Sequence, residues 1–473
     1  MLPIKQTTHW VSLSVWLVSL LAGMPVHAAT KPASVAGILA PRVPHLTRMS
    51  YIENGDIRLG IDLNLGGAIT YLAPVTNLDL NVINSHDWGR EVQLSYYSGP
   101  IPFNPPGTTL STNWNFLGWN PIQAGDCYGF TSQVLQYTNT GRALYVKLVP
   151  MQWPLKRVPA ESECEVWIEL VGPVVKARCR LTNHRADPVQ YPARKQELPA
   201  VYVNAPFSRL VTYCGDKPFT SDALTRIRGR LDLQGHWANW KATENWAALV
   251  NDSGWGLGIW NPDAVDFTGG FFGPPGNGGP LDESTGYVAP NRDEIIDHNI
   301  SFEYRYELML GTVAQIRAQV YRVAKPCGTL RFDFENSRQG WYYADATDTG
   351  WPIRGELKVH QDGPHPRIFS PDFVIRAETG FALTLEAAFS NGPPHAEVCW
   401  RKLGDQRFDE VNAERFAIVP DGEIHRYEIN LGKSPKYRGA ITQLGLVYLP
   451  DTDRETTVRL KSVSLGPNGS PVK

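Results

Sequence analysis

The stretch DIRLGIDLNLGGAITYL, residues Asp56–Leu72, alternates apolar with polar or glycine positions before it reaches a Gly-Gly pair. A period of two is typical of a half-buried β-strand, and glycine marks a turn. Comparable runs continue to about residue 323, among them ALYVKLVPMQW, CEVWIELVG, VVKARCRLTN, WAALVND, GLGIWNP and SFEYRYELML. Long helical periodicity is nearly absent. The sequence therefore predicts an all-β protein whose first part is one large antiparallel β-sandwich.

Length and composition limit the classes of function. With 473 residues the chain exceeds one ordinary core, so two or three domains are expected. The formal net charge is −2, the isoelectric point is near 6.6, and the sequence has no long basic run. These values argue against a nucleic acid or an anionic membrane as the main partner. The 15 Trp, 19 Tyr, 42 Gly and 37 Pro fit strands joined by many turns.

The N-terminus has the features of a secretory signal peptide. Lys5 precedes the apolar stretch Trp10–Met24, and VHA, residues Val26–Ala28, places small residues at positions −3 and −1 of a cleavage site. The apolar stretch is shorter than the ~20 residues of a membrane-spanning helix, which favours cleavage over an uncleaved anchor. We expect a signal peptide over residues 1–28, a linker over residues 29–48, and export to the periplasm or the exterior without a membrane span.

Six cysteines follow the predicted cleavage site, and because none forms a CxxC pair a zinc site has no support. An exported protein can oxidise its cysteines. Cys164 and Cys179 lie in two strand-like runs on either side of the turn VGP, so they could face each other across a hairpin. A Cys164–Cys179 disulfide and two buried free thiols both remain open at this stage.

The strand pattern restarts after KPCG, residues Lys325–Gly328, which follows a predicted short helix at Thr312–Val323. We expect one domain over residues 49–326 and a second, with a β-jelly roll, over residues 327–473. Asp333 and Glu335 near the start of the second domain are candidate oxygen ligands for a structural calcium ion. Solvated surface carboxylates are the alternative, and no other cofactor or metal is predicted.

The large domain resembles the galactose-mutarotase-like super-sandwiches. One similar segment is IRLGIDLNLGGAITYLAP, where that superfamily has paired strands meeting at a Gly-Gly turn. Another is NVINSHDWGREVQLSYYSG, where it has an Asn and a nearby Arg that reach into a sugar cleft. ENWAALVNDSGWGLGIWNP and YRYELMLGTVAQIRAQV match a later hairpin and the closing strand and helix. The resemblance implies carbohydrate chemistry, but the superfamily includes epimerases, lyases, glycoside hydrolases and domains without catalysis. No segment reproduces the His/Glu signature of aldose epimerases.

The second domain resembles the jelly-roll modules that accompany carbohydrate-active enzymes. The similar segments, in order, are FDFENSRQGW, IFSPDFVI, PDGEIHRYEINL, YRGAITQLGLVYL and VRLKSVSLG. The resemblance implies the fold. It implies sugar binding less directly, because many such modules only pack against a catalytic domain.

Candidate site residues concentrate in SHDWGREVQLSYYSGP, residues Ser85–Pro100. If EVQLSYY is a strand, its polar and apolar side chains separate onto two faces. The polar face would comprise Glu91, Gln93, Ser95 and Tyr97. His86 and Arg90 precede this strand on a loop, where binding groups often lie. We expect substrate contacts from Asp87, Arg90, Glu91, Gln93 and Tyr97.

Three further clusters supply the remaining candidates. In NWNFLGWNPIQAGDCYG and GHWANWKATENW, aromatic rings could stack on sugar C–H faces and polar groups could bind hydroxyls. The binding candidates there are Trp119, Asn120, Gln123, Trp237 and Glu244, and packing is the alternative for the loop and the Trp residues. Glu197, in RKQELPAVYVN, lies between a basic pair and a proline, which suits a base or a nucleophile. A surface ion pair with Arg194 or Lys195 is its alternative. The catalytic candidates are Glu197, Asp126 and His86.

These observations favour an exported glycoside hydrolase that acts on a poly- or oligosaccharide through carboxylates in a Trp/Tyr-lined cleft. A polysaccharide lyase with Tyr96, Tyr97 or His86 as base is an alternative, and a sugar mutarotase or epimerase is another. A non-catalytic carbohydrate-binding or envelope-glycan protein is the third. The expected partner is a carbohydrate, and the sequence leaves the oligomeric state open.

Overall fold

The computed structural model describes residues 46–229, 237–377, 381–409, 411–448 and 456–467. The predicted signal peptide, residues 29–45 of the predicted linker, and His236 of the GHWANWKATENW cluster lie outside these residues. The described chain forms two successive β-sandwiches, which confirms the all-β prediction. Within the described residues no helix is long and apolar enough to cross a membrane.

The first sandwich consists of a front sheet and a back sheet. The described strands of the front sheet run in the order β1-β2-β3-β4-β11-β18-β17-β14, with β5 and β8 attached beside β4, and those of the back sheet in the order β13-β12-β15-β16-β19-β10-β9-β7-β6. These strands are β1 Met49–Glu53, β2 Ile57–Asp62, β3 Ala68–Pro74, β4 Val92–Ser95, β5 Pro121–Ile122, β6 Gln133–Asn139, β7 Ala143–Val149, β8 Met151–Gln152, β9 Ser162–Val171, β10 Val174–Asn183, β11 Arg194–Asn204, β12 Arg209–Thr212, β13 Thr225–Ile227, β14 Ala238–Lys241, β15 Trp246–Val250, β16 Trp255–Trp260, β17 Asp266–Phe272, β18 Thr285–Glu294 and β19 Ser301–Thr312. One core fills the space between the sheets.

The opening stretch folds as the period-two pattern predicts. β2 and β3 pair antiparallel, and the single 3-10 turn Leu63–Leu65 connects them through Gly66 and Gly67. Both glycines have positive φ, 61° and 74°, and a Cβ on Gly66 would lie 2.2 Å from the Gln123 carbonyl oxygen. Glycine is therefore required here by the backbone conformation and by the close approach of a neighbouring chain segment.

The predicted hairpin around VGP is also present, but its two cysteines are not paired. β9 and β10 align Cys164 with Leu181 and Cys179 with Val166, so the cysteines are diagonal neighbours. Side chains at diagonal positions are ~7–8 Å apart, beyond the ~4 Å between Cβ atoms that a disulfide needs. Both are buried free thiols in the core.

The predicted helix is α1, Val313–Val323. Thr312 and Gln315 form a capping box at its start, since each side chain bonds the other's backbone N–H. Ile316 and Val320 are buried against Trp246, Trp260 and Met309 on the outer face of the back sheet. The helix therefore covers one end of that face.

The second sandwich has two antiparallel sheets, and the chain crosses between them repeatedly, as the jelly-roll prediction requires. Its strands are β20 Leu330–Phe332, β21 Tyr342–Ala344, β22 Ala346–Asp348, β23 Leu357–Gln361, β24 Arg367–Phe369, β25 Ile375–Ala377, β26 Phe381–Ser390, β27 His395–Lys402, β28 Ala413–Ala417, β29 His425–Ile429, β30 Gly439–Val447 and β31 Thr457–Pro467. Phe334 and Trp341, from the segment that opened the resemblance, lie in its core.

Two polar networks join the sandwiches. Arg338 of the second sandwich lies 2.6 Å from Asp297 of the first and also binds Asp348, and all three residues are buried. Elsewhere, Asp372 of the second sandwich pairs with Lys241 of β14. The second sandwich is thus fixed against the first by buried charges.

Candidate functional site

The candidate site lies on the outer face of the front sheet, where β4, β11 and β18 are adjacent. Val92, Leu94 and Tyr96 belong to the core, which confirms the predicted division of EVQLSYY into two faces. The alternate residues therefore face away from the core. Along the three strands they are Gln93, Ser95, Glu197, Ala200, Tyr202, Tyr287, Ala289 and Asn291.

Glu197 is at the centre of this face. It lies inside β11, and the register shift between Glu197 and Val201 carries the strand through Pro199. One carboxylate oxygen accepts from the Tyr97 hydroxyl at 2.8 Å and from Ser95 Oγ at 3.0 Å. The other accepts from the Tyr287 hydroxyl. Three hydroxyl donors, two from the end of β4 and the residues just after it and one from β18, therefore hold the carboxylate in one orientation.

Arg194 and Lys195, the basic pair before Glu197, have other partners. Arg194 donates to the carbonyl oxygens of Ser98 and Leu117, and its guanidinium lies 5.6 Å from the centre of the Tyr97 ring. Lys195 pairs with Asp266 at 3.2 Å. The basic pair therefore anchors neighbouring segments.

The two tyrosines on Glu197 are poor proton acceptors. Burial raises the pKa of Tyr97 and Tyr287 well above the usual value, and the nearby Glu197 charge raises both further. They remain protonated in the physiological range, which suits a donor to a carboxylate and opposes a role as base.

Glu91 is the second unusual carboxyl group of this region. It immediately precedes β4, its φ is 83°, and its backbone oxygen accepts from Tyr202 N at 3.0 Å. The side chain is 0% exposed, and among the described residues neither carboxyl oxygen has a hydrogen-bond partner. Burial raises the pKa of Glu91 well above its usual value, and Asp87 adds to the increase while Arg90 opposes it. Burial therefore favours the neutral, protonated form of Glu91.

Asn291 lies directly opposite Glu197 in the β11–β18 register. Its side-chain oxygen and nitrogen are both buried without a partner among the described residues. Buried amides are normally paired, since an unpaired group costs about 1–3 kcal/mol. Asn291 therefore offers an unpaired NH2 donor group and an unpaired carbonyl acceptor beside the Glu197 carboxylate.

An aromatic cluster borders the site on one side. The rings of Tyr202 and Trp237 lie 4.9 and 5.0 Å from that of Tyr287. Trp237 is 6% exposed and its indole N–H has no partner among the described residues. Of these three aromatic residues, Trp237 is one of the predicted sugar contacts, and all three side chains are buried in this structure.

The predicted loop from His86 to Arg90 meets the Gly- and Pro-rich segment after β17, residues 273–284. His86 Nδ1 donates to the Leu281 carbonyl at 2.8 Å, and Arg90 donates to the Glu283 carbonyl. Arg90 also pairs with Asp87 at 3.1 Å and is 0% exposed. These contacts give Arg90 and Asp87 a role in joining the two loops, while His86 stays partly exposed at the rim.

Several predicted substrate contacts support the fold instead. Trp119 is 0% exposed within the core, where large aromatic side chains pack best. Asn120 donates to the Tyr96 carbonyl at 2.9 Å and Gln123 to the Gly66 carbonyl at 3.1 Å. These three predictions of sugar contacts are corrected.

Asp126 and Glu244 also have structural partners. Asp126 accepts from three backbone N–H groups, those of Tyr128, Phe130 and Arg157, which fixes its loop. Glu244 is 0% exposed and binds Arg317 and Tyr321 of α1 as well as the Trp246 indole, on the back-sheet side of the sandwich. Glu244 anchors the helix, and its predicted contact with substrate is corrected. Tyr96, a predicted lyase base, lies in the core.

Sequence reasoning missed Tyr287 and Asn291. Both lie in TGYVAPNRDE, where their spacing of four residues places them on one face of β18. The alternation alone contains that signal, but only the pairing of β18 with β11 connects it to Glu197.

The described residues contain no group of three or more His, Cys, Asp or Glu side chains placed to hold a metal ion. At the start of the second sandwich, Asp333 accepts from the Gln339 amide at 3.4 Å. The calcium site suggested for Asp333 and Glu335 stays a prediction.

No protein-family model and no curated protein matches the chain. Among solved structures, an Escherichia coli K12 protein described as a putative aldose 1-epimerase has 10% identity over 56% of this chain and 100% of its own, with a TM-score of 0.35. A galactose mutarotase-like protein from Lactobacillus casei has 14% identity over 56% of this chain and 100% of its own, with a TM-score of 0.36.

A low-affinity xylan-binding module from Roseburia intestinalis has 17% identity over 30% of this chain and 96% of its own, with a TM-score of 0.22. The chain is thus similar to galactose mutarotase-like proteins over its first part and to a carbohydrate-binding module over a smaller part, as the sequence predicted. All three identities are below 25%, so the activity has to be inferred from the side chains of the site itself.

Proposed function

We propose that the protein is an exported glycoside hydrolase whose reaction takes place on the outer face of the front sheet. The observation that carries the proposal is a pair of carboxyl groups in contrasting environments. Glu197 accepts from three hydroxyl groups, whereas Glu91 is buried without a partner among the described residues and has a raised pKa. Such a contrast is what separates the carboxylate from the acid in this chemistry.

In the proposed reaction Glu91 gives its proton to the glycosidic oxygen, which leaves as a hydroxyl group when its bond to the anomeric carbon breaks. Either Glu197 attacks the anomeric carbon and water then cleaves the resulting ester, returning a proton to Glu91, or Glu197 removes a proton from the water that attacks this carbon. Asn291 is available to bind a sugar hydroxyl through its unpaired amide. The hydroxyl groups of Tyr97 and Tyr287 keep Glu197 oriented, since positioning of the reacting group lowers the entropic part of the barrier.

The state of the tyrosines favours hydrolysis over elimination. A polysaccharide lyase needs a base to remove the proton beside a uronate carboxylate, and Tyr97 was a candidate. The pKa of its hydroxyl is raised by burial and by Glu197, so the phenolate is costly to form. His86 remains a candidate base, but its ring donates to the Leu281 carbonyl at the rim, away from the three hydroxyl donors of Glu197.

One observation favours a second function, that of a non-catalytic glycan-binding protein. Glu197 is 1% exposed and Tyr287 0% exposed. A substrate reaches the carboxylate only after neighbouring side chains shift, and a protein that merely binds glycans at its surface needs no such change.

The test is a screen of the purified mature chain on poly- and oligosaccharides. We expect new reducing ends without the ultraviolet absorbance of an unsaturated sugar. Glu197→Gln should lose at least 100-fold in kcat, as is typical for loss of an acid, base or nucleophile, while glycan binding persists. Asp126→Asn is the matched control, because Asp126 is an equally buried acid whose partners are backbone groups of a loop.

Three results would contradict the proposal. An unsaturated product would identify a lyase. Catalysed mutarotation of free sugars, seen by polarimetry without bond cleavage, would identify an epimerase. Glycan binding with no turnover in the wild type would identify the non-catalytic function.

A further inference from the structure

A groove with a volume of about 680 Å³ lies on the outer face of the back sheet, on the opposite side of the sandwich from Glu197. Its floor crosses β7, β9, β10 and β19, and Val323 at the end of α1 forms part of its wall. The helix covers the neighbouring end of the face, so the groove begins where the helix stops. Its size is that of a site for a small ligand.

Cationic side chains meet in this groove. Arg178 and Arg305 occupy directly opposed positions on β10 and β19. Lys176 lies two residues from Arg178 on the same face, 4.0 Å from the Oε1 oxygen of Glu307. Like charges directly opposite each other destabilise a sheet unless something neutralises them. Glu303 pairs with Arg178 at 3.2 Å, but within the described residues the Arg305 side chain forms no ion pair or hydrogen bond. Arg305 therefore has its full set of donors available to an anion.

Two buried polar groups in the same groove also have no partner among the described residues. They are the indole N–H of Trp260 and the Oε2 oxygen of Glu307, on residues that are 7% and 8% exposed. Trp260 and Glu307 lie directly opposite each other on β16 and β19. Burial raises the pKa of Glu307, while Lys176, Gln319 and Arg305 offset part of the increase.

An aromatic row completes the groove. Tyr145, Trp167 and Arg178 are consecutive partners across β7, β9 and β10. The Tyr145 and Trp167 rings lie 5.3 Å apart, and the Arg178 guanidinium lies 3.8 Å from the centre of the Trp167 ring. Stacking fixes the Arg178 guanidinium in place, so less side-chain entropy is lost when a ligand binds.

We propose that this groove is a second binding site, for a sugar unit that carries a carboxylate or a sulfate ester. Arg305 and Arg178 bind the anionic group, while Trp260 and Glu307 bind ring hydroxyls. The choice of a sugar as the carrier rests on the proposed function, whereas the anionic group follows from the groove itself. The site would hold an acidic glycan away from the carboxyl pair of the front sheet.

The test measures binding of the whole mature chain to two matched pairs of polymers, by calorimetry or affinity electrophoresis. The pairs are dextran sulfate with dextran, and polygalacturonate with its methyl ester. We expect at least tenfold tighter binding of one or both acidic members, and a loss of that preference in Arg305→Gln. Lys176→Gln should weaken binding as well, since it removes a second cation. Arg376→Gln, an exposed arginine of the second sandwich, is the matched control.

The outcomes distinguish this proposal from the proposed function. If binding of the acidic polymers persists in Glu197→Gln and weakens in Arg305→Gln, the result supports the groove as a binding site even if no glycan is hydrolysed. Equal binding of acidic and neutral members overturns it. The proposal is also overturned if Arg305→Gln and Arg376→Gln weaken binding of the acidic polymers equally. Equally tight binding of single-stranded DNA would overturn it too, because it would indicate a nonspecific polyanion effect. Unchanged thermal unfolding of the variants excludes misfolding as the cause.

Discussion

Arg338 joins the two sandwiches through two buried carboxylates. Its guanidinium binds both oxygens of Asp348, at 2.6 and 2.7 Å, and lies 2.6 Å from an oxygen of Asp297. Arg338→Met would keep most of the side-chain volume but remove the charge, leaving both acids buried and uncompensated. Breaking a buried ion pair from one side costs about 3–5 kcal/mol. The midpoint temperature of thermal unfolding of the second sandwich should therefore fall by roughly 10 °C, at about 2–4 °C per kcal/mol.

The assay is thermal or urea unfolding of the full chain, with Arg376→Met as an exposed control. A surface substitution of this kind changes stability by less than ~0.5 kcal/mol. A shift for Arg338→Met no larger than that of the control would refute the reasoning. The double variant Arg338→Met/Asp348→Leu should regain part of the lost stability, because it removes one of the unpaired charges.

The same network predicts how the contribution of Arg338 to stability changes with pH. Burial acts to raise the pKa of Asp348, but hydrogen bonds and charge from Arg338 outweigh it, and the pKa is lowered. A lowered folded-state pKa contributes stability above the unfolded pKa of ~3.9, and that stability is lost as pH falls through the folded value. The stability difference between wild type and Arg338→Met should therefore be largest near neutral pH and shrink below about pH 4.

Three further outcomes follow from individual residues. The kcat/KM profile of the proposed hydrolase should fall as pH rises through the raised pKa of Glu91, and Glu91→Gln should abolish activity while the protein stays folded. Glu244→Gln should destabilise the first sandwich by about 3 kcal/mol in urea unfolding, because it weakens the buried anchor of α1. Glu303→Gln, which breaks an exposed ion pair, should lower the free energy of unfolding by less than ~1 kcal/mol. Equal losses in the two variants would contradict the assignment of Glu244 as a buried anchor of α1. In native protein at pH 8, iodoacetamide should label the exposed Cys327 but not Cys179, whose pKa burial raises to about 12. Mass spectrometry would detect labelled Cys179 if that packing were wrong.

Much of the fold could be predicted from the sequence because strands and helices follow from local patterns of residues. Alternation predicted β9, β10, β15, β16 and β19 within a few residues, and the helical spacing of Ile316, Gln319 and Val320 predicted α1. The two faces of EVQLSYY followed from the same alternation, since a strand's period fixes which side chains share a face. Recognition of two sandwiches needed only the restart of the pattern after Lys325.

The candidate site was predicted less completely, because residue type does not show which side of a sandwich a side chain occupies. Trp119 and Glu244 look like sugar contacts in sequence, but Trp119 packs in the core and Glu244 anchors a helix. Asp126 looks like a catalytic acid, but backbone N–H groups occupy its oxygens. Each case depends on contacts between segments far apart in the chain.

By itself the sequence determined most of the strands, the helix and the division into two sandwiches, because each depends on short-range periodicity and neighbouring residues. It also indicated Glu197 as a candidate carboxylate. Only the tertiary structure decided that Tyr97, Tyr287 and Ser95 converge on Glu197, and that Glu91 is buried without a partner among the described residues. The order β4-β11-β18 brings these residues together, although they are separated by up to about two hundred positions in the chain. Desolvation and hydrogen bonding, which set the chemistry of each carboxyl group, arise from that arrangement and not from the residues alone.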